Sequence, residues 1–371
     1  MGRRRWTTGL MAAAIAGGLL GSALLAAAAV CLSSGCSTVD ALGYYAQAAG
    51  GHLELLQRAR PVADAVADPA TPPALRERLQ LSQRLRDFAV GELKLPDNRS
   101  YRRYADLQRE AVVWNVVAAP ALSLTLKTWC FPVMGCVGYR GYFKREDADA
   151  LAAQLRAEGL EVSVYGVPAY STLGWSDWVG GDPLLSTFIG WPEGALAQLV
   201  FHELTHQVAY AADDTTFNES FAVAVERIGS RRWLEAHASP GVRAAQAAAE
   251  ARREDFRALT LRYRGLLQAV YAGPADAAAQ AERKAALMAA LRADHAALKA
   301  GPWQGYAGYD GWFARANNAS LGVLAAYNEL VPEFENLFRS QAGDFQRFYA
   351  EVQRLAALSK DQRRARLAAP D

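Results

Sequence analysis

Two histidines four residues apart, with a glutamate beside the first, can hold a metal ion and act on the water bound to it. This chain carries that set in Phe201-His-Glu-Leu-Thr-His206. On a helix, His202 and His206 leave from one face. Glu203 is turned about 100° around the axis, where it can touch a metal-bound water without displacing it. Zinc suits such donors, since its catalytic sites commonly take three protein ligands, often two His and a carboxylate, and keep a fourth position for water. The preceding run Ala195-Leu-Ala-Gln-Leu-Val-Phe201 is largely apolar, which predicts a mostly buried helix. Two His and a Glu buried without partners would carry a heavy desolvation penalty, and a metal removes it. The chain has five His in all, so two in one motif is a concentrated signal.

A third ligand must come from a neighbouring element. The His helix can continue through Val208 and Tyr210, and Ala211-Ala-Asp-Asp-Thr-Thr216 reads as a polar reversal. A second helix then begins near Asn218, with Gly229 as its stop. Along it Glu219, Ala222 and Glu226 share one stripe, while Phe221, Val225 and Ile228 form another that feeds the core. Glu219 and Glu226 lie about 10 Å apart along the axis, so one zinc cannot take both. Helical geometry alone leaves the choice between them open. A plain ion pair of Glu226 with an arginine such as Arg231 is an alternative use of that carboxylate.

Asn218-Glu-Ser-Phe-Ala-Val-Ala-Val-Glu226 resembles the Asn-Glu-Gly-Phe-Ala…Glu segment of gluzincin aminopeptidases, with a shorter spacing from the His motif than that family usually shows. The resemblance implies that Glu219 binds zinc and that Glu226 stands behind it, orienting a ligand imidazole. Further segments stand in order with it. They are Trp129-Cys-Phe-Pro132, Gly135-Cys136, Tyr139-Arg-Gly-Tyr-Phe143, Ala169-Tyr-Ser-Thr-Leu-Gly-Trp175, Asp182-Pro183 and Asn317-Asn-Ala319. Together, from roughly Tyr44 to Phe334, they resemble a bacterial family of zinc aminopeptidases whose activity is inferred largely from the zinc motif. What the resemblance implies is one Zn2+ per chain, peptide or protein substrates, and Glu203 as general base. The edge strand of the small sheet would bind the substrate backbone, with Ala169, Tyr170 and Ser171 as its candidate residues. Tyr327 is the candidate donor to the oxyanion. Asp177, Asp182 and Glu193 are the acids available to receive a substrate α-ammonium. A zinc endopeptidase of the same fold and a non-catalytic binding or structural lipoprotein are the alternatives.

The N-terminus has the layout of a secretory signal peptide: Arg3-Arg-Arg5, an apolar run from about Leu10 to Val30, then small residues and Cys36. Leu32-Ser-Ser-Gly-Cys36 resembles a lipobox, which implies lipidation at Cys36 and a membrane-held protein on the periplasmic side. By resemblance to lipoprotein sorting rules, Ser37 favours the outer membrane over the inner. An uncleaved signal anchor is the runner-up, because the apolar run is just long enough to span a bilayer. In an oxidising compartment Cys130 and Cys136, which enclose a short loop, are expected to form a disulfide rather than part of a second metal site. Removing residues 1–35 takes away three arginines and no acid, which moves the net charge from +2 to −1. That is no footprint for nucleic acid.

The expected architecture is α+β and mainly helical: a zincin-like catalytic domain with a small mixed sheet, the HExxH helix and flanking helical segments. Residues 1–35 are the lipoprotein signal peptide, 36–118 an N-terminal helical region and 119–371 the metallopeptidase region, with 36–371 as one compact unit. Periodicity predicts a strand at Tyr139–Phe143, a helix over Arg145–Glu158 and an alternating strand over Leu160–Val167. Glu235–Leu298 predicts a pair of long helices broken at Gly273-Pro274. The aromatic, Gly-rich stretch Trp303–Phe313 is expected to loop back across the site.

Overall fold

The computed structural model of the protein describes residues 38–131, 135–169, 181–212, 214–324 and 330–368. Cys36, Tyr170, Ser171, Asp177, Tyr327 and the whole signal segment lie outside the described residues. The described part of the N-terminal unit is helix α1 (Thr38–Arg58), which runs a few residues into a second unit, Leu55–Asp371. No helix among the described residues is long and apolar enough to cross a membrane.

The second unit opens with β1 (Arg60–Pro61), α2 (Val62–Ala67) and α3 (Pro73–Gly91). Next come β2 (Arg103–Ala105), β3 (Val113–Pro120), the hairpin β4 (Trp129–Phe131) and β5 (Gly135–Val137), and β6 (Arg140–Tyr142). Then α4 (Arg145–Ala157), β7 (Leu160–Val167) and β8 (Leu184–Leu185) lead into the helices that carry the metal motif. The expected strand, helix and strand around residues 140–167 are all present. Their pairing differs from a simple hairpin, because β6 and β7 flank β3 on either side, both antiparallel to it. That three-stranded sheet is purely antiparallel. The mixed sheet is a separate one, β1-β2-β8, in which β2 runs parallel to β8.

Strand β3 corrects the expectation that residues 36–118 are helical, for it runs across residue 118 and is central to its sheet. Val116, Val117, Ala118 and Ala119 are all buried in succession, so both faces of the strand are covered. Val117 and Ala119 pack with Ala319 of α10 (Asn318–Val323). The Asn317-Asn318 pair pins that short helix to the sheet. Asn317 Nδ2 donates to Val162 O (3.1 Å), and Asn318 Nδ2 donates to Pro120 O and Ala121 O (3.1 and 2.9 Å). The Cys130–Cys136 disulfide is formed, and it bridges directly opposite residues of β4 and β5.

Helices α5 (Glu193–Thr205) and α6 (Thr215–His237) form a hairpin at the heart of the main core. It is followed by the long pair α7 (Pro240–Ala272) and α8 (Ala277–Ala300), then α9 (Asp310–Arg315) and α10, and by α11 (Val331–Ser340), α12 (Phe345–Ala356) and α13 (Lys360–Ala368). Gly229 does not stop α6, which continues two more turns. Instead a Cβ at Gly229 would stand 2.6 Å from Leu93 Cδ1 and 3.0 Å from Phe201 Cδ2, so the glycine marks a close approach of α6 to its neighbours. The stretch from Trp303 to Phe313 also departs from expectation. Trp303 and Phe313 are buried with Leu259, Tyr263 and Leu291 in a second core of the α7–α8 pair, where aromatic area is best removed from water.

The loop between α3 and β2 is held from below by a buried cation. Arg86 of α3 donates to Ser100 O (3.1 Å), Pro96 O (2.7 Å) and Asn98 O (3.2 Å). Burial lowers its pKa to about 10, which still leaves it charged at neutral pH. From this loop Ser100 Oγ accepts from Asp182 N (3.2 Å), and Tyr101 N donates to Asp182 O (2.7 Å). Gly181 fits there because its φ is +71° and a Cβ would fall 2.4 Å from Ser100 N. Backbone cannot yield as a flexible side chain does. Gly181→Ala should therefore lower stability by about 1–3 kcal/mol, read as a shift in the urea midpoint. An unchanged midpoint would mean that the 99–101 segment yields freely.

Candidate metal centre

Helix α5 buries Leu196, Ala197, Val200, Phe201 and Leu204, and this packing fixes the rotation of the helix and the aim of its His pair. The helix ends earlier than periodicity predicts. Thr205 is its last residue, and Thr205 Oγ1 donates back to Phe201 O (2.6 Å). His206 is the C-cap and keeps helical angles, φ −58° and ψ −19°, so the i, i+4 relation survives. The two imidazoles cross nearly perpendicular, with ring centroids 4.8 Å apart.

The reversal after α5 is short because one side chain closes it. Asn218 accepts from Ala211 N (2.8 Å) and donates to Ala211 O (2.9 Å), tying the turn to the first turn of α6. Asp214 caps the helix by accepting from Phe217 N (3.1 Å), three residues ahead of the expected start. The same buried carboxylate accepts from Arg363 Nη1 (2.6 Å) and Arg364 Nη2 (3.2 Å) of α13. Thus Glu219, next to Asn218, is presented from a helix end fixed at two points.

His202 Nε2 and His206 Nε2 stand 3.1 Å apart, and Glu219 Oε2 lies 3.3 Å from the first and 3.7 Å from the second. A tetrahedral zinc with ligands at about 2.0–2.1 Å has ligand-to-ligand edges of about 3.3–3.4 Å. This triangle fits such an ion, and its three side chains are no more than one-fifth exposed. Glu226 does what a carboxylate behind a ligand does: its Oε2 lies 2.8 Å from His202 Nδ1, on the far side of the ring. Two turns of helix thus separate the carboxylate facing Nε2 from the one facing Nδ1.

The electrostatics of the protein alone describe a cluster that holds positive charge. Burial pushes the His202 pKa down, but its hydrogen bonds with Glu219 and Glu226 outweigh that and raise it well above the ordinary value. Burial and then the charge of His202 push His206 down to about 4. Burial would raise Glu219, yet its hydrogen bond with His202 leaves it lowered. A cation among these donors would take the place of the proton that the carboxylates stabilise, so His202, His206 and Glu219 could hold a metal ion. His206 Nδ1 is buried and has no hydrogen-bond partner among the described residues.

Other predicted residues are placed differently. Ala169 is buried in the main core, two residues past the end of β7, and is not on a strand edge. Glu193 accepts from Trp233 Nε1 (2.8 Å), a structural use of that acid. Asp182 is buried and supports the 99–101 segment through its backbone. One residue near the site was not foreseen. Tyr101 is 1% exposed, adopts a left-handed φ of +63°, and its hydroxyl has no hydrogen-bond partner among the described residues. Burial raises its pKa well above normal, and the negative charges of Glu203 and then Asp182 add to that. The neighbouring Gln207, just past the His motif, reaches the same loop by donating to Ser100 Oγ (3.2 Å) and accepting from Asn98 Nδ2. Nothing in the spacing of the sequence links Tyr101 to Glu203. Tyr101 lies in an irregular segment between α3 and β2, which carries no periodicity to mark it.

No curated protein and no solved structure matches this chain. A family model described as "Putative aminopeptidase" matches residues 43–367, from within α1 to within α13. The site lies inside that span, and the chain belongs to this putative aminopeptidase family.

Proposed function

We propose that this protein is a zinc-dependent peptidase, acting as an aminopeptidase, with one zinc held by His202, His206 and Glu219. The observation that carries the reading is the triangle of donor atoms 3.1, 3.3 and 3.7 Å apart, backed by Glu226 on His202 Nδ1. Zinc bound there supplies the charge that makes a coordinated water acidic near neutral pH and polarises a carbonyl. Glu203, turned away from the ligand pair on α5, accepts the proton of the attacking water and passes it to the leaving amine. Glu226 fixes the tautomer and orientation of His202. Tyr327 remains the proposed donor to the oxyanion. The exopeptidase label rests on the family. The proposed setting is the periplasmic face of the envelope, with Cys36 lipidated after removal of residues 1–35 and peptides or proteins near the membrane as substrates.

Elemental analysis of the purified chain from residue 37 onward is expected to find one zinc per molecule. Glu226→Ala should weaken zinc binding about 10–100-fold in competition with a chelator, because His202 loses its orienting carboxylate. A folded protein that purifies without metal and takes up none would overturn the reading. Hydrolysis of fluorogenic aminoacyl amides, set against internally quenched peptides, tests the exopeptidase label separately.

A further inference from the structure

Tyr101 has two features that core packing does not explain. It belongs to the main core, where a phenylalanine would fill the same volume without a hydroxyl. That hydroxyl is buried and has no hydrogen-bond partner among the described residues, and burying a donor unpaired is costly. The backbone is the second feature, held at a φ of +63° that a bulky side chain seldom adopts. Strain of this kind persists only where the surroundings over-determine it. Here Tyr101 N donates to Asp182 O (2.7 Å) and Tyr101 O accepts from Gln83 Nε2 (3.0 Å), so both backbone groups of the residue are engaged.

The same segment is fastened to the metal motif. Gln207 stands four residues beyond Glu203, about one helical turn, and residues so spaced leave one side of a helix. The chain is still turning there, since His206 N donates to His202 O (3.3 Å) and Gln207 N to Leu204 O (3.2 Å). Gln207 Nε2 donates to Ser100 Oγ (3.2 Å), and its Oε1 accepts from Asn98 Nδ2. Both partners belong to the loop that Arg86 holds through Ser100 O and Asn98 O. Tyr101, the residue after Ser100, is thereby set beside the side of α5 that carries Glu203. Burial, and then the charges of Glu203 and Asp182, keep its phenol protonated, against a weaker opposing effect of Arg86. A neutral phenol facing a carboxylate serves as a donor. Its oxygen is closed off from water, so it is not placed to touch substrate as an oxyanion donor must. The two side chains are not bonded in this structure, and catalytic hydrogen bonds are commonly long until substrate is in place.

We propose that Tyr101 is a positioning residue for the general base, its buried hydroxyl being the donor that orients the Glu203 carboxylate as it takes the proton of the attacking water. The role of Glu203 as base rests on the peptidase reading, whereas the pairing of the two side chains does not. The strained backbone and the unpaired hydroxyl are then the cost of keeping a donor ready at that point.

Tyr101→Phe tests the assignment, because it removes the oxygen and keeps the ring. With fluorogenic aminoacyl amides, kcat is expected to fall about 10–100-fold, the worth of a hydrogen bond to a charged group. KM should stay within about twofold and the zinc content should not change. Unchanged kcat, or a loss carried by KM alone, overturns the inference. A second readout needs no turnover. The urea midpoint shift caused by Tyr101→Phe is compared in the wild-type and Glu203→Gln proteins, a cycle that isolates the interaction between the two side chains. The shift is expected to be more destabilising where the Glu203 carboxylate is present. Equal shifts in both backgrounds mean that the hydroxyl does not act on Glu203, and they overturn the inference even if kcat falls. If the wild-type protein cleaves no peptide while the two shifts differ, the peptidase reading fails and the pairing of Tyr101 with Glu203 stands.

Discussion

Replacing Glu203 by Gln is expected to cut peptide hydrolysis about 10²–10⁴-fold and to leave the zinc in place. Gln keeps the size of the side chain, but it cannot accept the proton of an attacking water. None of the three proposed ligand atoms belongs to Glu203, so metal content serves as the internal control. Loss should appear in kcat more than in KM, because the proton moves in the transition state and substrate binding does not require it. The carboxylate also acts electrostatically on both His202 and Tyr101, so its removal changes the field of the site as well as its chemistry. Turnover of a fluorogenic aminoacyl amide, measured beside zinc by elemental analysis, decides the matter. A variant with full zinc and unchanged turnover would remove Glu203 from the mechanism.

The second large effect is on stability. Asp214 is 1% exposed in its side chain and Arg363 4%, so their 2.6 Å pair is buried. Arg363 also donates to Leu355 O (3.3 Å), Ala356 O (3.2 Å) and Leu358 O (2.9 Å), and among the described residues Asp214 is the carboxylate that offsets its charge at close range. Asp214→Asn keeps an oxygen for capping Phe217 N but strands a buried guanidinium, at a cost of about 3–5 kcal/mol. Burial would raise the Asp214 pKa, yet the hydrogen bond from Arg363 and the one from Phe217 N hold it below the usual carboxylate range. A group depressed in this way stabilises the fold above its unfolded pKa of about 3.9, and loses that contribution as pH falls through the folded value. Urea denaturation should therefore show the full gap between wild type and variant at pH 7 and a gap that narrows as the pH falls below about 4. A gap of equal size at both ends would assign the loss to packing instead of charge.

The motif residues were legible in the sequence because the i, i+4 spacing of His202 and His206 has one geometric meaning on a helix. The choice of Glu219 over Glu226 was open in helical geometry and came from resemblance. In the structure the two carboxylates face opposite nitrogens of His202, an arrangement that their seven-residue spacing permits. Helix α4 and strand β7 were readable from clean periods of about 3.6 and 2. Strand β3 was not, since a strand covered on both faces loses its alternation and merges with the apolar helices before it. Gly229 was misread for a related reason, as a helix stop and a close helix contact leave the same single letter. Tyr101 comes within the field of Glu203 through tertiary packing alone.

The partnership of Asp214 with Arg363 spans 149 residues, and it ties the helix that presents Glu219 to the last described helix of the chain. A chain clipped before that helix would keep all three clustered donors, His202, His206 and Glu219, yet lose the counter-charge at the helix end from which Glu219 is presented. The ordering of that corner therefore depends on the far end of the sequence.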